Sequence, residues 1–108
     1  GGGVDYFTHD FNGQADLWDG ETPVEKVGYM TDLLADRTIA TLEKRAKDKR
    51  PFFISLHFTA PHWPWEGNDA EGRAESDHIA SGKARGGLFH YDGGTLATYA
   101  AMVTSLDA

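Results

Sequence analysis

Apolar positions along the chain fall into blocks with different spacing, set between polar, glycine-rich stretches. From Tyr29 to Lys49, Ala35, Ile39, Leu42 and Ala46 recur at helical spacing, and Met30 and Leu34 widen the apolar surface to one side. Thr31 is the expected N-cap. Asp32 and Asp36 sit early and Lys44, Arg45, Lys47 and Lys49 late, the order the helix dipole favours. Pro51 cannot continue the helix and restricts Arg50 before it, so the helix must end there. The run from Phe52 to Phe58 is almost wholly apolar and lies between Pro51 and Pro61, which predicts a strand buried on both faces. Phe52, Ile54, Leu56 and Phe58 would share one side, and Phe53, Ser55 and His57 the other. Near the end, Leu96, Tyr99, Met102, Val103 and Leu106 again follow helical spacing, behind a turn at Asp92-Gly93-Gly94 with Thr95 as N-cap. No Gly or Pro stops this last helix, so the sequence reads as an internal segment.

Elsewhere the pattern is weaker. Residues 1–28 sustain no period and read as irregular, and Glu66 to Asp92 read as one long polar excursion of the kind that is usually functional or disordered. A helix running straight into a buried strand, with a second helix later, predicts an α/β layer fold: two helices flanking a buried strand. Such a strand recruits partners at its edges. It is expected to pair within the chain, with a second copy through the strand edge, or with the rest of a larger protein.

Length and charge narrow the function. A compact chain of 108 residues buries roughly 60–70% of its unfolded surface, enough for a thin core. There is no Cys, hence no disulfide and no thiolate chemistry. The net charge of −7 is concentrated before residue 43, which argues against nucleic acid as a partner. The basic run Glu43 to Arg50 reads as a solvated helix end facing the dipole. Asp16, Asp19 and Glu21 read as solvated turn residues rather than a cation site. No apolar run approaches the ~18 residues of a membrane span.

The chemistry concentrates at Ala60-Pro61-His62-Trp63-Pro64-Trp65, directly after the apolar run. In open α/β sheets, ligands bind beyond the carboxyl ends of strands. Prolines on either side of His62 restrict its backbone, and an imidazole suits hydrogen bonding to an anionic oxygen or protonating a leaving group. A histidine satisfied within a Pro/Trp turn fits the same residues. Trp63 and Trp65 could wall a substrate pocket or simply pack. His57 reads as a hydrogen-bonded core residue. His78 and His90 lack zinc-ligand spacing and read as surface residues.

Taken together, Pro51 through Pro64 resembles the sulfatase family's apolar strand ending in a Pro-His-x-Pro-like turn. Tyr29 through Arg37 resembles the helix before that strand, and Tyr99 through Asp107 the helix before the family's next core strand. The likeness is closer to arylsulfatases than to other members of the alkaline phosphatase superfamily. It implies that residues 1–108 are an internal segment of a sulfatase catalytic domain with an alkaline-phosphatase-like α/β sandwich, hydrolysing sulfuric esters. It implies a formylglycine nucleophile, made from a C/S-x-P-x-R motif, and calcium held by Asp and Asn. His62 carries over as the catalytic histidine at the ester. Tyr6-Phe7-Thr8-His9-Asp10 resembles a loop that places a hydroxyl near the sulfate, which makes Thr8 and His9 candidate substrate contacts beside Trp63 of the His62 turn.

The departures are as informative. No C/S-x-P-x-R motif occurs, and the family's Asp-Asp pair, Lys/His motif and Asp-Asn-Gly motif are missing, so the calcium ligands lie outside this chain. The chain alone is therefore expected to be inactive. Phosphodiester or phosphonate monoester hydrolysis within the same superfamily, and a non-catalytic scaffold role, are the competing expectations.

Overall fold

The computed structural model describes residues 4–81 and 94–108. The stretch without a hydrophobic period folds as two tight hairpins. β1 (Asp10–Phe11) pairs antiparallel with β2 (Gln14–Ala15), and β3 (Trp18–Asp19) with β4 (Thr22–Pro23). Asn12-Gly13 makes the first turn with both residues at positive φ (51° and 74°), the backbone that favours this dipeptide in two-residue hairpins.

Helix α1 (Met30–Ala46) forms where its periodicity places it. Its cap differs. Thr31 lies inside the first turn and is buried, while Tyr29 occupies the N-cap without a side-chain capping bond. The Met30 N–H donates to the Tyr6 carbonyl at 2.8 Å, so a tertiary contact satisfies one of the helix's unpaired N-terminal donors. Lys44 and Arg45 occupy the last turn, and beyond it Arg50 folds back onto the Asp48 carboxylate at 2.6 Å. The basic run is thus a helix end, and the Arg50 guanidinium holds the Asp48 carboxyl below its usual range.

The excursion after Glu66 contains a helix, α2 (Ala70–Ala80). Asp69 caps it: its Oδ1 accepts from the Gly72 N–H at 2.7 Å. Helix α3 (Leu96–Leu106) begins at a capping box in which Thr95 and Thr98 each accept from the other's backbone N–H. Its inward face is Thr98 and Met102, while Leu96 and Val103 are exposed.

The core is small: Val4, Tyr6, Tyr29, Met30, Ala60 and Met102, with Phe7, Leu17, Leu34, Trp65 and Leu106 against it. It joins the N-terminal loop, the first turn of α1, the turn after Phe58 and α3. The apolar run itself lies outside it. Phe52 to Phe58 is in no ladder, and Phe53 is 90% exposed. The expected buried strand is thus corrected to an uncovered segment. A wholly apolar strand needs neighbours at both edges and layers on both faces. The hairpin strands bond to one another and supply neither. His57 is accordingly exposed, though hydrogen-bonded, its Nε2 lying 2.7 Å from Ser55 Oγ. The radius of gyration, 15.4 Å, exceeds the ~13 Å of a compact chain of this length. Among the described residues no helix is long and apolar enough to cross a membrane.

Candidate active site

His62 sits in a turn whose backbone is fixed on both sides of the residue. Its N–H donates to the Thr59 carbonyl at 2.9 Å, and its own carbonyl accepts from the Tyr6 hydroxyl at 2.8 Å. The bonds Ala60–Pro61 and Trp63–Pro64 are both cis. The imidazole is exposed, with Nδ1 against the Trp63 carbonyl oxygen. A carbonyl only accepts, so Nδ1 carries the proton. Nε2 is then an acceptor in the neutral ring and a donor in the protonated one. That free edge can meet an anionic ester oxygen or deliver a proton to a leaving oxygen.

Tyr6 belongs to the N-terminal loop, which is held by many short bonds. Asp5 Oδ1 accepts from the N–H of Phe7 (2.9 Å), the N–H of Thr8 (2.6 Å) and the Thr8 hydroxyl (3.0 Å). Thr8 remains exposed, but its hydroxyl proton is directed into this turn. His9 is different. It is 3% exposed, has φ 59°, and its Nε2 donates to the Gly28 carbonyl at 2.8 Å. The ring therefore ties the loop to the residue before the cap of α1, in a conformation that histidine tolerates better than most.

Trp63 is half-buried, and Trp65 packs edge-on against Tyr99 with centroids 5.1 Å apart. Of the two tryptophans, Trp65 is a packing residue. His78 lies exposed on α2, and His90 falls outside the described residues. Asp16 accepts from Trp18 Nε1 at 2.9 Å and Asp19 from Arg37 at 2.8 Å, so these acids have protein partners.

Two residues escaped sequence reasoning. Tyr6 is 2% exposed, stacked on Tyr29 at 5.6 Å, and connects the Thr8 loop to the His62 turn. Burial pushes its hydroxyl above the usual tyrosine range, with Tyr29 and the Glu66 carboxylate adding to the shift. Glu66 is fully buried, and its Oε2 accepts from the Tyr6 N–H at 3.3 Å. No local sequence signal marks either residue: a buried tyrosine needs a partner for its hydroxyl and a buried carboxylate needs donors, but only the fold shows that these two are buried.

The chain belongs to the sulfatase family: the family model, described as Sulfatase, matches residues 1–108. Among curated proteins, it is similar to an N-acetylglucosamine-6-O-sulfatase of Bacteroides thetaiotaomicron, 45% identical over 62 residues. That match covers 56% of this chain and 10% of the relative, so the chain corresponds to a small part of that protein's length. No solved structure matches the chain. Sulfatases generally use a divalent metal. Among the described residues, no three His, Cys, Asp or Glu side chains come together in a way that could hold one.

Proposed function

We propose that the full-length protein hydrolyses a sulfuric ester on an aminosugar and that this chain supplies His62 as the group meeting the ester. The observation that carries this reading is the His62 turn itself. Its imidazole is exposed, with Nδ1 engaged, while its backbone is anchored at both N–H and carbonyl. The family membership makes sulfate the expected anion. The aminosugar follows from the similarity to the Bacteroides N-acetylglucosamine-6-O-sulfatase.

In this reading residues 1–108 are an internal segment of the catalytic domain, inactive alone. Calcium and the nucleophile belong to parts of the protein outside it. The segment Phe52 to Phe58 becomes an inner strand of an alkaline-phosphatase-like sandwich, carrying His62 beyond its carboxyl end. Thr8 and Trp63 are the proposed substrate contacts on the two loops that Tyr6 joins, and His9 acts by holding the first of them in place. A sugar C6 alkoxide is a poor leaving group, so the reaction needs proton donation as the ester bond breaks. A protonated His62 can supply it.

The test is release of inorganic sulfate from 6-O-sulfated N-acetylglucosamine by the full-length protein. Turnover of phosphate diesters with none of sulfate esters would overturn the proposal.

A further inference from the structure

We infer that Tyr6 is the positioning residue for His62, gripping the His62–Glu66 loop at both ends through its hydroxyl and its backbone N–H. The hydroxyl donates to the His62 carbonyl at 2.8 Å, and the N–H donates to the Glu66 carboxylate at 3.3 Å. Tyr6 is itself fixed. Its carbonyl accepts from the Met30 N–H at the start of α1, and its ring stacks on Tyr29. With both polar ends of its backbone and its ring committed, it offers the loop a rigid reference.

The consequence is local. A histidine side chain has two rotatable bonds, so once its backbone is set the imidazole samples few positions. The Thr59 carbonyl holds the N–H side of His62 and Tyr6 holds the carbonyl side. Deleting the phenol oxygen frees that carbonyl and lets the peptide rotate. A small misplacement of a reacting group is enough to slow catalysis substantially.

This inference rests on the reading of His62 as the residue that meets the ester, and the experiment separates the two. Tyr6→Phe, His62→Ala and the double variant are made in the full-length protein and assayed on 6-O-sulfated N-acetylglucosamine and on nitrophenyl sulfate. Thermal unfolding is recorded for each. Tyr6→Phe is expected to lower kcat on the sugar sulfate about tenfold with KM little changed. The loss should be smaller on nitrophenyl sulfate and absent when His62 is already Ala, because two groups acting through one function are not additive.

Two results would overturn the positioning role while leaving His62 in place. One is wild-type kcat in Tyr6→Phe. The other is an equal loss with and without His62, which marks a general structural effect. Full activity of His62→Ala would instead remove the reading of His62, and the inference with it. Should Tyr6→Phe fail to fold, Glu66→Leu, which removes the acceptor of the Tyr6 N–H, repeats the cycle from the other end of the grip. A loss that disappears in the His62→Ala background supports the role, and a loss that persists there overturns it.

Discussion

The Tyr6 hydroxyl donates to the His62 carbonyl oxygen at 2.8 Å across 56 positions of sequence. That bond joins the N-terminal loop, where Thr8 and His9 lie, to the turn that carries His62 and Trp63. The two candidate loops therefore form one unit even though the apolar run preceding His62 lies uncovered. The site's geometry depends on the small core around Tyr6 rather than on a completed sheet.

Gly94 is a position where only glycine fits. Its φ is +85°, and a Cβ there would lie 2.6 Å from the Trp65 carbonyl oxygen and 2.8 Å from Trp65 Cβ. Gly94→Ala should cost about 1–3 kcal/mol, combining left-handed backbone strain with a backbone clash. Gly13→Ala, at φ +74° with open space around it, should cost only about 1 kcal/mol. Denaturant titration of the two variants checks the difference.

The buried phenols set an alkaline limit. Burial raises the ionisation of both Tyr6 and Tyr29 above the ordinary tyrosine value of 10.0. In the unfolded chain they lose protons near that value, so above it the folded state binds more protons than the unfolded. Stability is then lost with rising pH. The contribution is intact below pH 10.0 and declines as the pH climbs toward the folded-state values. Tyrosinate absorbance followed against pH should show late-titrating tyrosines that ionise together with unfolding. Ionisation of every tyrosine near pH 10 in the folded protein would contradict this.

Parts of this fold were legible in the chain, and the reasons are physical. α1 and α3 announce themselves because their apolar residues repeat at helical spacing, and Thr95 caps α3 as its position predicts. α2 has no such stripe; its signals were the Asp69 cap and good helix formers behind it, which a search for periodicity passes over. The hairpin at Asn12-Gly13 was written in a dipeptide rather than a pattern. At the site, His62 stood out through its flanking prolines. Tyr6 and Glu66 could not, because a contact between positions 60 apart has no local signature.

The uncovered apolar run predicts association. Phe52, Phe53 and Leu56 are exposed, and the run has no ladder partner among the described residues. The isolated chain should self-associate with rising concentration, as apolar strands with open edges do. Phe53→Asp should shift it toward monomer, because a charge on the exposed face opposes stacking and pairing. Light scattering after size-exclusion chromatography measures this. A strictly monomeric chain at high concentration would remove the strand edge as an interface.

The final prediction concerns the proton that His62 supplies. If the imidazole donates to the departing oxygen, His62→Ala in the full-length protein should lower kcat on the sugar sulfate by roughly 10²–10⁴, the usual range for a positioned acid or base. Nitrophenyl sulfate releases a stable phenolate and needs little proton donation, so its loss should be much smaller. Steady-state kinetics on both substrates decide the role. Equal losses on both would mean that His62 binds the sulfate without transferring a proton, since ground-state and transition-state contacts to the anion are common to the two esters. Unchanged turnover of the sugar sulfate would reduce His62 to a turn residue held between Thr59 and Tyr6.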